Sequence, residues 1–214
     1  MGPRARFLRS SIRQRRLHLA RTQAADYDER RDAIVSKAAE LYGQRGFLGS
    51  SIADLAEACG MSKSLLYHYF SSKEDILFEI MDGHVAALGQ IAAAVRGEKD
   101  PQQRLFRLTE EFMALYVPAS NRHKVLLNDL DKLPPQRRKT IISEQRVLLD
   151  AVDAILVELS ETLANQPRER RAAIMIYFGM INWTHTWFDP KGALAASEVA
   201  KLAVNIFLKG VLNL

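Results

Sequence analysis

The stretch Ser51–Phe70, SIADLAEACGMSKSLLYHYF, decides how this chain is read. Ile52, Leu55, Ala56 and Cys59 fall at i, i+3, i+4 and i+7, the spacing of one helix face. Gly60 follows, free to take the left-handed conformation that ends a helix, and Ser62 is a side chain suited to capping the next one. Counted from Ile52, a small residue, Ala56, stands fifth and Gly60 ninth. The small side chain lets two helices cross closely at a steep angle, and the glycine makes the sharp turn between them, which is helix-turn-helix grammar. Leu55, Leu66 and Phe70 are placed to close the small core beneath.

The second helix of this unit carries the chemistry of a major-groove reader near its start. Lys63 can donate to guanine O6 or N7, Ser64 can serve several bases, and Leu65 can touch a thymine methyl. Tyr67, His68 and Tyr69 follow within a turn, and Lys73 opens the next helix; these are natural phosphate contacts. Ser62, the cap, completes the expected DNA-facing run. Ser62–Lys73 contains no acid, although its neighbourhood is acidic. A plain helical hairpin in a larger bundle is the competing reading, and the local charge argues against it.

Outward from this unit the apolar spacing from Asp26 onward is helical nearly throughout, with no alternating β-branched run, so the fold class is all-α. A first helix carries Ile34, Ala38, Leu41 and Tyr42 on one stripe and ends in the stretch Gly43–Gly49. The third helix is expected over about 63–70, and a fourth, capped by Ser72, to about Arg96. Pro101 opens a helix to about Tyr116, and a short helix spans 121–131. A long helix then runs to Leu163, another from Pro167 to about Trp187, and the last over about 194–212. The expected organisation is a basic tail over 1–25, a three-helix helix-turn-helix domain over 26–75, and a helical ligand-binding and dimerisation domain over 76–214.

Charge and composition narrow the function. The chain carries 30 Lys and Arg against 25 Asp and Glu, a net charge of +5 and a pI near 9.4. Residues 1–25 hold seven of the arginines (Arg4, Arg6, Arg9, Arg13, Arg15, Arg16, Arg21) and no acid, so 23 bases face 25 acids in the remainder, a net −2. The body is therefore not basic. The tail has the look of a transit peptide or of an arm with nonspecific phosphate attraction, but it reads best as a flexible extension. It lacks the apolar core of a secretory signal. No uninterrupted apolar run reaches the roughly 18 residues of a membrane span. A single cysteine, Cys59, excludes an internal disulfide and a multi-thiolate metal site, and suits a reducing cytoplasm.

The run Ala33–Met81, AIVSKAAELYGQRGFLGSSIADLAEACGMSKSLLYHYFSSKEDILFEIM, resembles the N-terminal domain of the TetR family of bacterial transcriptional regulators. The resemblance implies that Ser51, Lys63, Ser64, Tyr67, His68 and Lys73 face DNA and that the fourth helix links the DNA-binding and ligand domains. It also implies a homodimeric repressor released by a small molecule.

From about residue 85 onward there is no Walker loop, no GxSxG elbow and no metal-spaced histidine pair; His18, His68, His84, His123 and His185 are scattered. The expectation is a non-enzyme with no cofactor and no metal. The segment Ile176–Gly192, IYFGMINWTHTWFDPKG, stands out. Trp183 and Trp187 are four apart, with Phe188 beside them; Tyr177 and Ile181 are four apart, and Asn182 and His185 add polar handles. With Phe112, Met113, Tyr116 and Leu127, the residues Tyr177, Ile181, Asn182, Trp183 and His185 are the candidate ligand-binding set. Ordinary core or a dimer seam is an equally open use of these aromatics.

This half resembles the acyl-CoA-responsive branch of the same family, and the phrases KVLLNDLDKLPPQRR and FGMINWTHTWFDPKG are most similar to repressors of phenylacetate degradation, which respond to phenylacetyl-CoA. The resemblance begins near Ala20, which implies a dispensable tail. Its implied partners are double-stranded operator DNA, an acyl-CoA effector and a second copy of the chain, with no membrane. Long-chain fatty acyl-CoA is the alternative effector, and a helical acyl-thioester enzyme the alternative class. Candidate cations for CoA phosphates are Arg122, Lys124, Arg137, Arg138, Lys139, Arg168, Arg170 and Arg171. In the expected mechanism a ligand shifts the fourth helix and spreads the reading heads.

Overall fold

The computed structural model describes residues 25–213, so the basic tail lies outside the described residues except for its last position. Among the described residues there are helices and no strands. Helix α1 spans 25–45, α2 Ile52–Ala58, α3 Lys63–Tyr69, α4 Lys73–Ala94, α5 Pro101–Tyr116 and α6 Ser120–Asp129. Then come α7 Pro135–Leu159, α8 Glu161–Asn165, α9 Pro167–Asn182, α10 Thr184–Trp187 and α11 Ala196–Val211. Short 3₁₀ turns at Val95–Gly97 and Leu130–Lys132 extend α4 and α6.

Two of the expected long helices are each broken into two, for identifiable reasons. The helix expected to reach Leu163 stops at Leu159, because Ser160 is extended and its hydroxyl accepts the Leu163 amide at 3.3 Å, starting α8. Arg170 then donates to the carbonyls of Leu163 and Ala164, satisfying the end of that short helix. The helix expected to reach Trp187 stops at Asn182. There the Thr184 hydroxyl donates to the Ile181 carbonyl at 2.6 Å, and His185 Nδ1 donates to the Asn182 carbonyl at 2.6 Å. Side chains thus take carbonyls that a continuing helix would use for backbone bonds.

Apolar burial is organised around two cores. The first packs Ile34, Ala38 and Tyr42 of α1 with Leu55, Leu66 and Phe70 and with Ile76, Leu77 and Ile80 of α4. It also takes in Val125 and Leu126 of α6 and Ile141 of α7, so it continues past residue 75 and into the C-terminal helices. The second joins Leu88 and Ala92 of α4 to residues of α5, α7, α9 and α11. Helix α4 runs through both. With its 3₁₀ extension it is long and apolar enough, at a mean hydropathy of 1.3, to cross a membrane, but Ile76, Leu77, Ile80, Met81, Val85, Leu88 and Ala92 are buried in the two cores.

Polar ties join the two parts as well. Arg31 of α1 pairs with Glu79 of α4 at 2.6 Å, and Arg137 of α7 pairs with Asp75 at the start of α4. Arg122 of α6 donates to Ser36 of α1 at 3.2 Å. Gly43 lets α1 and α6 approach closely, since a Cβ there would stand 2.9 Å from the Asn121 Cβ. Helix α6 therefore touches the first helix directly, a connection that the sequence pattern does not announce.

Candidate nucleic-acid interface and effector cavity

The α2–α3 unit forms as its spacing requires. Gly60 has φ +63°, Leu55, Ala56, Leu66 and Phe70 are buried, and the Ser62 hydroxyl accepts the Leu65 amide at 3.1 Å. Ser51 caps α2, accepting the Asp54 amide at 3.1 Å while Asp54 Oδ2 accepts from the Ser51 amide at 2.7 Å. Both serines thus have a structural task besides any contact with DNA. Lys63, Ser64, Leu65, Tyr67 and His68 are exposed on α3, together on the outside of the unit.

Three of the residues expected to face DNA, His68, Tyr69 and Lys73, have partners within the chain. Tyr69 stacks on Tyr27 of α1, with ring centroids 4.8 Å apart, and His68 meets the same ring edge-on. Tyr27 is a part of this surface that the sequence reading missed. The Lys73 ammonium donates to the Phe47 carbonyl and lies 3.9 Å from the centre of the Phe47 ring, and partial burial lowers its pKa. The ammonium expected to contact phosphate thus ties the loop after α1 to the start of α4, because a carbonyl and an aromatic face are within its reach.

In the C-terminal half a cavity of about 180 Å³ opens where the two cores meet. Leu88 of α4 and Tyr116 of α5 form part of its wall, and α6 adds His123, Leu126 and Leu127. Helix α7 adds Gln145, Leu148 and Leu149, and α9 adds Met175, Phe178 and Asn182. The contributions of α6 and α7 each follow i, i+3, i+4, and that of α9 follows i, i+3, i+7, so one stripe of each helix faces the space. That register is the signal by which Phe178 and Met175 are recoverable from Asn182, and His123 from Leu127.

Of the candidate ligand set, Tyr116, Leu127 and Asn182 line this cavity, and the Tyr116 hydroxyl donates to Asn182 Oδ1 at 3.0 Å. Phe112, Met113, Tyr177 and Ile181 are buried in the surrounding core. Thr109 donates to the Leu105 carbonyl at 2.7 Å, so the Tyr177 hydroxyl donates to Thr109, 2.8 Å away. His185 lines a smaller neighbouring space of about 130 Å³ with Tyr116, Thr184, Phe188 and Lys124. Trp183 is 65% exposed and takes no part in either wall, because its amide still bonds to the Gly179 carbonyl and it continues the exposed face of α9 that carries Ile176 and Gly179.

Three of the histidines, His84, His123 and His185, come together in space. His84 of α4 and His123 of α6 are both buried, with Nε2 of the first 3.1 Å from Nδ1 of the second. Burial holds their pKa values down, to about 4 and about 3, so both rings are neutral at pH 7. Tyr116 stacks on the His123 ring at 3.8 Å, and His185 lies edge-on to it at 6.2 Å. Among the described residues no group of three or more His, Cys, Asp or Glu is arranged to hold a metal ion.

Several candidate cations are already engaged. Arg170 is held by Asp153 at 2.8 Å, Arg137 by Asp75, and Arg122 by Ser36. Lys124 borders the smaller cavity.

Comparison with known proteins fits this arrangement. Residues 34–80 match the family described as "Bacterial regulatory proteins, tetR family", and residues 98–211 match "Tetracyclin repressor-like, C-terminal domain". The crystal structure of a TetR-family transcriptional regulator from Bordetella parapertussis is 38% identical, covering 86% of this chain and 96% of that one, with a TM-score of 0.82. AibR, solved in complex with isovaleryl coenzyme A and operator DNA, is 26% identical over 83% of this chain and 97% of its own, with a TM-score of 0.74. The transcriptional repressor KstR2 of Mycolicibacterium smegmatis is 28% identical over 85% of this chain and 90% of its own. The match to the transcriptional activator FasR of the same organism is 27% identical over 66% of this chain and spans 65% of FasR. This chain belongs to the TetR family of bacterial transcriptional regulators.

Proposed function

We propose that this chain is a repressor that binds a palindromic operator as a homodimer in the bacterial cytoplasm and is released by an acyl-CoA, phenylacetyl-CoA, in control of aromatic-acid catabolism. The observation that carries this reading is the cavity: apolar over most of its wall, polar at Tyr116, His123 and Asn182, and in contact with α4, which continues into the core of the reading head. At about 180 Å³ it is close to the roughly 150 Å³ apolar cavity that accepts benzene, a size that suits a phenyl or short branched acyl group and not a long fatty chain. The AibR complex supports the acyl-CoA class, and the name of KstR2 supports repression.

The dimer reading is supported by the outward faces of α9 and α11. Ile176, Leu202 and Ile206 are all more than half exposed, while Val199, Val204 and Phe207 of α11 are buried inward. An apolar surface of this kind on the last long helices suits a bundle with a second copy, which would set two α3 helices about one duplex turn apart. Lys63, Ser64 and Leu65 would then read base edges, with Tyr67 and His68 toward the phosphates. A ligand in the cavity would act on α4 at Leu88 and on α6 at His123, spreading the heads.

Calorimetric titration with phenylacetyl-CoA, palmitoyl-CoA and free CoA tests the effector. Saturable binding of phenylacetyl-CoA alone is the expected result. Preference for palmitoyl-CoA, or binding of none of the three, overturns the assignment.

A further inference from the structure

The His84–His123 pair is the chemistry that the helix-turn-helix and the apolar cavity leave unused. His123 is 2% exposed and forms part of the cavity wall, yet its Nε2 has no hydrogen-bond partner within the protein. A buried polar atom without a partner is costly and rare, and one that borders a cavity is satisfied when that cavity is filled. The neighbouring His185 differs, because its Nδ1 is already bonded to the Asn182 carbonyl.

One proton lies between His84 Nε2 and His123 Nδ1, so the pair has two neutral arrangements. With His84 donating, the His123 proton sits on Nε2 and faces an acceptor. With His123 donating, Nε2 is itself an acceptor. Asn182 adds a second polar group to the same wall. Its Oδ1 already accepts the Tyr116 hydroxyl, which leaves its amide N–H₂ as the group it offers to the same cavity. In the first arrangement His123 Nε2–H and the Asn182 amide are two donors at the polar end of an apolar space, and together they match a carbonyl oxygen.

We propose that His123 Nε2–H, held in that tautomer by His84 and backed by the Tyr116 ring, binds the carbonyl oxygen of an acyl compound in the cavity. This deepens the effector reading and rests on the same cavity being the ligand site. The acyl carbonyl selects the arrangement in which His84, on α4, is the donor, so ligand chemistry is registered on the helix that leads to the reading head.

The test uses the full chain and two probes that lack CoA, phenylacetone and its hydrocarbon counterpart n-propylbenzene, with ¹⁵N spectra of the imidazole rings. Phenylacetone is expected to fix His123 with the proton on Nε2 and none on Nδ1. His123→Phe keeps the ring stacked on Tyr116 and removes the donor; it is expected to shift the affinity ratio of the two probes about tenfold against phenylacetone. Binding of phenylacetone with Nε2 unprotonated, an unchanged ratio in the variant, or binding of neither probe overturns the proposal. The spectra of the unmutated protein decide even where the variant fails to fold. Failure of phenylacetyl-CoA to bind or release operator, with phenylacetone still read at His123, would remove the effector assignment alone.

Discussion

In the reading head every residue that makes the turn lies within Ser51–Phe70, whereas in the effector half His84 meets His123 across 39 residues and Thr109 meets Tyr177 across 68. The turn of the head is a local object: a capping serine, a glycine at positive φ and an apolar triplet signal it within twenty residues, although that triplet is buried in one core with residues of α1, α4, α6 and α7. The cavity is a tertiary object made by one stripe from each of several helices, and its polar groups meet only because those helices pack. The two are joined by more than α4, since α6 supplies His123 to the cavity and Arg122, the preceding residue, to Ser36 of α1.

The comparison breaks most visibly if the local object is hollowed out. Leu66 is fully buried beneath α3, and Leu66→Ala is expected to cost about 3 kcal/mol of stability and to abolish operator binding. Denaturant unfolding and operator titration check this; affinity for the cavity ligand should survive in whatever fraction stays folded.

A pH series sharpens the effector side. The folded pKa values of His84 and His123, about 4 and about 3, lie below the unfolded value of 6.5, so the unfolded chain binds more protons below neutrality. Their contribution is complete above pH 6.5 and is lost as the pH falls toward 4. Between pH 7 and 5 the loss is about 2 kcal/mol for one such site. The doubly substituted His84→Gln, His123→Gln protein should lack that part of the slope. The carboxyls of Asp82 and Glu144, raised by burial, act in the opposite sense but are common to both proteins.

Smaller effects separate reading from holding. Lys63→Ala removes an exposed side chain and should weaken specific operator binding about tenfold, with ligand affinity and unfolding midpoint unchanged. Lys73→Ala should do the reverse, lowering stability by about 1 kcal/mol while leaving the salt dependence of operator binding as it was. A fall of about one in that slope would mark Lys73 as a phosphate contact.

Legibility follows the same division. The all-helical class, the proline-started helices at Pro101 and Pro167, and the turn at Gly60 were readable because each is signalled within a few residues. Apolar period alone ran helices on through Ser160 and Asn182, because side chains of Ser160, Thr184 and His185 that take backbone groups look, in sequence, like any polar residue. The intrachain partners of Lys73 were not readable because nothing local announces the Phe47 carbonyl. Trp183 and Trp187, placed on one helix face by their spacing, are divided by the break and are both exposed. The pair His84 and His123 was invisible for the plainest reason, that a buried contact between distant histidines leaves no period.

The central claim is that a ligand in the cavity governs the reading head. A duplex selected by the protein from a random pool, titrated with and without saturating phenylacetyl-CoA, tests it most directly. The account predicts at least a tenfold loss of operator affinity when the ligand is bound, within the usual range of coupling between sites. Unchanged operator affinity with the cavity occupied would contradict it.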